Sequence, residues 1–328
     1  MVTQKILPNL YKIEVPLPRN PLKALNAYVI KAENRNLIID TGMNREECQR
    51  AMDFGLRELG VDLDKTDFFL THMHADHSGL VGNLATSNSR IYCSQPDAAV
   101  LNNFTRSRDY WDKMRNFAYL NGFPEDESHE AIEKHPGYLF SPIGHLDFTI
   151  VHEGDSISIG DYHFRCVATP GHTRGHMCLY ESAKKILVAG DHILGDITPN
   201  ISQWSPQGSY LQEYLNSLDL VDQLDIDLAL PGHRGLINDC KRRIQELKLH
   251  HQRRIDEVLA ILTKGVQTAY QVASQMTWDM TYDSWDLFPV AQKWFATGEA
   301  IAHLKYLEEK GVIQREMKDQ MFVFSRKS

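Results

Sequence analysis

No stretch of this 328-residue chain approaches the roughly 20 consecutive apolar residues that a membrane-spanning helix needs, so no membrane partner is expected. The opening residues Met1-Val2-Thr3-Gln4-Lys5 lack the apolar core of a secretion signal, and a cytoplasmic location is the expectation. Cysteine is scarce. Five are present, Cys48, Cys93, Cys166, Cys178 and Cys240, odd in number and scattered, which reads as reduced structural thiols rather than a disulfide framework. Basic charge is not in surplus either: 35 Lys and Arg stand against 43 Asp and Glu, a net charge of −8. Residues 251–328 carry ten of each sign, so the last quarter of the chain offers no basic excess. Affinity for nucleic acid is driven by neutralising phosphates, and nucleic acid is therefore disfavoured as a partner rather than excluded. No internal repeat of obvious period is present.

What is there is an ordinary globular composition, 42% apolar and 24% charged, in a chain long enough for a large core and two domains. One short string stands out, Thr71-His72-Met73-His74-Ala75-Asp76-His77-Ser78. It follows Phe68-Phe69-Leu70, which reads as a buried strand. His72 and His74 sit two apart, on one face of an extended segment. Asp76 and His77 follow as the chain turns. Imidazole and carboxylate together suit zinc, iron or manganese, so the string reads as two half-built metal sites side by side. Further candidates stand behind other apolar runs. Pro170-Gly171-His172-Thr173-Arg174-Gly175-His176 follows Tyr162 to Ala168, Gly190-Asp191-His192 follows Lys185 to Ala189, and Pro231-Gly232-His233 follows Ile226 to Leu230. Each potential ligand lies just past a strand end, in a Gly- or Pro-marked turn. Four strand ends meeting at one sheet edge would make a polar pocket on a rigid frame.

This set, with the Asp40-Thr41-Gly42 turn after Leu37-Ile38-Ile39, resembles the metallo-β-lactamase-fold superfamily over roughly residues 10 to 240. The resemblance implies an α/β (α+β) fold, the four-layer αββα sandwich. It implies that His72, His74 and His172 bind one divalent metal ion, Asp76, His77 and His233 a second, and that Asp191 bridges both. The two ions are expected to be zinc, because His74 stands where the iron-using oxygen and nitric oxide branches carry a carboxylate; iron or manganese also suits the ligands. Two dications, less Asp76, Asp191 and a bridging hydroxide, leave about one positive charge to favour an anionic transition state. The implied chemistry is attack by the metal-bridging hydroxide on a carbonyl or phosphoryl centre, with Asp76 as the catalytic residue that orients the nucleophile. Asp40, Thr71, His176 and His192 are expected to support the ligands from behind, His192 with a packing role or an acid role both open.

Residues 98–142 are rich in aromatics, among them Phe104, Tyr110, Trp111, Phe117, Phe123 and Tyr138, with Tyr110, Met114 and Phe117 at helical spacing. They read as a helical insert, expected to cap the metal pocket. Ile197-Thr198-Pro199-Asn200-Ile201, just after Asp191, is the expected wall of the site. We place the hydrolase domain at 1–245. From 246 to 328 the order helix, helix, helix, hairpin resembles the small winged-helix domain of the β-lactamase-like-2 type, packed on the first domain or used for dimerisation. The expected substrate is a small ester, thioester or lactone. The alternative is phosphodiesterase or single-stranded RNA endonuclease chemistry at the same metals, since relatives of that type cut RNA.

Overall fold

The computed structural model describes residues 3–103, 107–279 and 281–327. Phe104, counted above among the insert's aromatics, lies outside them. Two sheets lie face to face. The first is seven-stranded and runs in chain order: β1 (Thr3–Leu7), β2 (Leu10–Pro16), β3 (Ala24–Ile30), β4 (Asn36–Ile39), β5 (Thr66–Phe69), β6 (Ile91–Ser94) and β7 (Phe148–Val151). The second comprises β8 (Ser156–Ile159), β9 (Tyr162–Ala168), β10 (Met177–Glu181), β11 (Ile186–Gly190) and β12 (Leu228–Pro231), in the order β12-β11-β10-β9-β8. Side-chain alternation sorts the strand residues between layers. Tyr28, Ile30, Leu37, Ile39 and Phe69 meet Phe164, Cys166, Leu179, Val188 and Leu230 between the sheets. Ile13, Val15, Ala27, Val29, Ile38 and Phe68 point outward against helix α1 (Glu46–Glu58). That helix buries Cys48, Met52 and Leu56 at i, i+4 and i+8, with Glu46 and Glu47 in its first turn and Arg57 in its last, as the helix dipole favours. This is the αββα sandwich expected from the sequence.

After β5 the ligand string enters α2 (Ala75–Ser78) and then α3 (Val81–Leu84). The sequence pattern suggests one helix from about Gly79, but the chain forms two short turns beginning earlier. A Cβ on Gly79 would lie 2.6 Å from the Phe140 carbonyl oxygen and 2.5 Å from the Asn44 nitrogen, so this backbone is held too closely by its neighbours for an ordinary side chain. The insert holds α4 (Gln95–Asn103), α5 (Arg108–Leu120), α6 (Glu125–Glu133) and α7 (Pro136–Phe140). The outer face of the second sheet packs on α8 (Tyr210–Asp222) and on α9 (Cys240–Leu262), which runs unbroken past residue 246. Then come α10 (Ala269–Ala273), started by a Thr268–Gln271 capping box, α11 (Val290–Glu309), and the hairpin β13 (Ile313–Lys318) and β14 (Met321–Arg326).

The last segment does not stand apart. Ala273, Ala300, Leu304, Leu307, Ile313 and Phe324 share one core with Leu187, Ala189, Leu211 and Tyr214 of the sandwich. A second core joins Trp111, Met114, Ala118 and Phe123 of the insert to Val290 and Trp294 of α11. All five cysteines are buried free thiols, and among the described residues no helix is long and apolar enough to cross a membrane.

Candidate metal centre

Strand direction places the ligands. β5 runs parallel to β4; β11 runs parallel to β12 and, through antiparallel β10, in the same sense as β9. The C-terminal ends of β4 and β5 therefore share one edge, as do those of β9, β11 and β12. The two edges are tied together. Asn26 Nδ2 and Tyr28 Oη both donate to the Pro231 carbonyl, at 3.0 and 2.7 Å, and Asn26 N donates to the Gly232 carbonyl at 2.7 Å. The Met177 amide donates to the Thr71 carbonyl at 2.9 Å.

Within this frame the seven candidate ligands converge. His72, His74 and His172 present ring nitrogens within 4.8 Å of one another; so do His72 and His77 with an Asp191 oxygen, and His77 and His233 with an Asp76 oxygen. His74 Nδ1 lies 3.1 Å from His72 Nε2 and 3.0 Å from His172 Nε2. His172 Nδ1 donates to the Asn200 carbonyl at 2.8 Å, so its Nε2 turns a lone pair inward. His77 Nδ1 donates to Asp40 at 2.7 Å and His233 Nδ1 to the Ala24 carbonyl at 2.7 Å, so the Nε2 of each is turned inward. Anchoring the outer nitrogen is how a metal-binding imidazole is oriented. Asp191 lies between the groups: Oδ1 is 3.4 Å from His77 Nε2, and Oδ2 is 3.6 Å from His172 Nε2 and 3.5 Å from His233 Nε2. Its buried Oδ1 lacks a hydrogen-bond partner. Converging lone pairs and an orphaned carboxylate oxygen fit cations, and the nitrogen and oxygen donors fit divalent transition metals.

Residues 22–233 match the metallo-beta-lactamase superfamily, and residues 255–327 match the metallo-beta-lactamase-like C-terminal domain. The chain belongs to the metallo-beta-lactamase superfamily. A crystal structure of a family member from Thermus thermophilus is similar to 98% of this chain and all of that one, with TM-score 0.83 and 27% identity. The Beta-lactamase-like protein 2 homolog of Caenorhabditis elegans is 23% identical over 295 residues, 89% of this chain and 81% of that protein. The atrochrysone carboxyl ACP thioesterase of Aspergillus fumigatus is 26% identical over 267 residues, 78% and 69% respectively. The match spans only 62% and 61% of the length of lactamase-like proteins from Emericella nidulans and Aspergillus niger.

In this superfamily member charge divides the site in two. Burial, with neighbouring imidazoles adding to it, lowers His72 far below its usual range and His74 to about 3. Burial also acts against a proton on His233, but Asp191 and Asp76 outweigh it and raise that group to about 10; Asp191 and Asp40 likewise raise His77. Burial opposes charge on Asp76 too, and His77 and His233 overcome it, bringing the carboxyl to about 2. The anionic half of the site is thus balanced by its own imidazoles, in the positions where a cation would sit.

The supporting residues divide as follows. Asp40, at φ 60°, accepts from the Thr71 amide at 2.9 Å, from Thr71 Oγ1 at 2.8 Å and from His77. Thr71 Oγ1 in turn lies 3.0 Å from His72 Nδ1, so one carboxylate orients a ligand of each group. His176 has both ring nitrogens engaged, holding Thr169 Oγ1 at 2.8 Å and accepting the Asp191 amide at 3.1 Å. His192 is fully buried against Tyr214, ring centroids 5.4 Å apart, with both ring nitrogens unpartnered, and burial lowers it to about 3. Its ring also lies 6.1 Å from that of His176, centroid to centroid.

Sequence reasoning missed Asp97. This carboxylate in the first turn of α4 accepts from the Met73 amide at 2.9 Å, Thr173 Oγ1 at 2.7 Å and the Gly175 amide at 2.9 Å. It ties the His72–His77 loop to the His172 loop, although burial pushes its carboxyl up to about 6. An acidic residue opening a helix just after a strand was the only signal, and its partners are 24 to 78 residues distant. Asp97→Ala leaves three donors, two of them buried, without this acceptor. Metal retention, read by competition with a chelator, should weaken by about 10- to 100-fold.

Gly232 is a second such point. A Cβ there would stand 2.5 Å from Asp191 Oδ1 and 2.6 Å from His77 Cε1. Gly232→Ala should reduce bound metal, whereas Gly235→Ala, with nothing within 4 Å of its Cβ, should leave metal content at the wild-type level. Elemental analysis of both purified variants checks the pair.

Proposed function

We propose that this chain is a binuclear metal-dependent hydrolase acting on a small ester, thioester or lactone. The observation that supports it best is the convergence of seven side chains from four strand-end loops, with anchored imidazoles on both sides of Asp191. His72, His74 and His172 would hold one ion, Asp76, His77 and His233 the other, and Asp191 both, with zinc as the expected metal. Two divalent ions, when bound, supply Lewis acidity toward a carbonyl oxygen and bring the pKa of water toward neutrality. The side chains supply the rest. Asp40, through Thr71 and His77, fixes ring orientation in both groups. Asp76 is the most open member of its trio, its side chain 11% exposed where that of His233 is wholly buried. It is placed to orient an attacking water and accept its proton.

Acyl rather than phosphoryl substrates are supported by charge. The chain carries a net charge of −8, and residues 251–328 hold ten basic against ten acidic side chains. The fungal relative's name, a carboxyl ACP thioesterase, points the same way. Residues 246–328 follow the order of a winged helix, yet they share the sandwich core and have no basic excess, so we assign them a role in shaping the substrate site. A substrate panel on metal-analysed protein tests this: acyl thioesters, lactones, p-nitrophenyl esters, a phosphodiester and single-stranded RNA, with His72→Ala as control. Metal-dependent acyl hydrolysis without RNA cleavage is the expected result. RNA cleavage that the variant loses would replace this reading with a nuclease.

A further inference from the structure

The C-terminal segment reaches the metal centre through one residue. Asn200 accepts His172 Nδ1 on its carbonyl at 2.8 Å, and its side-chain amide donates to Glu299 Oε2 of α11 at 3.0 Å. Ser202 Oγ donates to the Asn200 side-chain oxygen, and the Gln203 amide donates to the Gly298 carbonyl at 3.0 Å. Gly298 permits this approach, because a Cβ there would stand 2.8 Å from Ser202 Oγ and 2.8 Å from Trp204 Nε1. The second Glu299 oxygen, Oε1, lies 3.5 Å from Arg254 of α9. Arg254 is fixed in turn by Glu257 at 3.0 Å, by the Thr277 carbonyl and by the Trp278 ring, 4.1 Å from its guanidinium. Each carboxylate oxygen of Glu299 thus has its own partner, one of them the residue that holds His172.

The other anchored imidazoles are held from within the sandwich. His72 Nδ1 meets Thr71 Oγ1 at 3.0 Å, His77 Nδ1 meets Asp40 at 2.7 Å, and His233 Nδ1 meets the Ala24 carbonyl at 2.7 Å. Of these four rings, His172 is the one whose anchor is itself held by α11, from a position 99 residues beyond Asn200. Stability alone is a poor account of Glu299. It is buried in a helix packed through Ala300, Leu304 and Leu307, where an apolar residue is often as stabilising as a buried ion pair. What a carboxylate adds there is a fixed acceptor for the Asn200 side chain.

We infer that Glu299 is a positioning residue for the first metal group: through Asn200 it sets the ring of His172, so that α11 tunes the ion held by His72, His74 and His172 and not the ion held by Asp76, His77 and His233. The inference rests on the ligand assignment proposed above. An imidazole binds a metal well when its outer nitrogen is held in place, and a loop free to shift its carbonyl lets the ring turn away.

The test uses the full-length chain loaded with zinc, whose release to chelators of graded strength is followed ion by ion. His172→Ala and His233→Ala identify which release step belongs to which group. Glu299→Ala should weaken the His172-dependent step by about tenfold, the lower end of the cost of losing a group that orients a ligand, and leave the other step unchanged. Asn200→Ala, which keeps the main-chain carbonyl and removes the link to α11, should do the same. Glu299→Gln, whose side-chain oxygen still accepts the Asn200 amide, should keep most of the wild-type affinity. Lys293→Met is the control for a merely structural effect. It breaks the 3.1 Å ion pair from α11 to Glu127 of α6, and both release steps should stay at wild-type strength even where the melting temperature falls. Equal weakening of both steps in Glu299→Ala and Asn200→Ala, no weakening in either, or the same weakening in Lys293→Met would overturn the positioning role and leave the two-metal assignment standing. A wild type that holds fewer than two zinc ions would overturn that assignment and this inference with it.

Discussion

His72→Ala is expected to lose turnover by at least about a thousandfold and to purify with less metal than the wild type. His72 is common to two of the three converging groups, together with His74 and His172 and together with His77 and Asp191. Its Nε2 is turned inward because its Nδ1 is held by Thr71, so alanine removes a preoriented donor and not merely a ring. Loss of a residue that only orients a ligand costs about 10- to 100-fold, and loss of the ligand itself should exceed that. The side chain is fully buried, so the variant's folding is measured beside its turnover. Circular dichroism and the melting temperature separate the two effects. A folded variant with wild-type turnover at reduced metal content would refute the metal-dependent reading.

The second large effect is on stability. Trp294→Ala should destabilise the chain by about 3–5 kcal/mol, the usual cost of removing a large buried aromatic. Trp294 is wholly buried in α11; it stacks on Trp204 at 4.2 Å between ring centroids and meets Phe123 edge-on at 5.2 Å. It thus joins the insert, the loop that carries Asn200, and the C-terminal helices. The midpoint of urea unfolding, followed by far-ultraviolet circular dichroism, gives the size of the effect. A shift of less than about 1 kcal/mol would mean that the site collapses around the missing ring, or that these pieces do not depend on each other. Trp294→Phe, which keeps part of the apolar volume, should fall between the two.

These two positions show unequal legibility. His72 is readable because ligand chemistry needs particular side chains at short spacing behind a strand, and the Thr71–Ser78 string shows all of it locally. Asp191 and His233 are readable for a similar reason: a Gly or Pro turn after an apolar run marks a strand end. Asp97 and Trp294 are not. Asp97 acts on amides 24 and 78 residues away, and nothing near it in the chain reports those partners. The aromatics of 98–142 read as a helical insert on spacing, but nothing local reports that their large partners Val290 and Trp294 belong to a helix well over 100 residues later.

By itself the sequence determined the elements and the chemistry: amphipathic α1, the alternating and fully apolar strands, and donors suited to divalent cations, all set by periods of two to four residues or by contiguous strings. Tertiary structure decided which groups meet. It brought the Asp191 carboxylate between two sets of imidazoles, gave Asp97 to two ligand loops at once, and merged residues after 246 into the sandwich core so that Asn200 touches both His172 and Glu299. The physical reason is range. Backbone propensity and side-chain alternation act between neighbours, whereas a buried hydrogen bond or a packed ring is satisfied only by whatever the closed fold places against it.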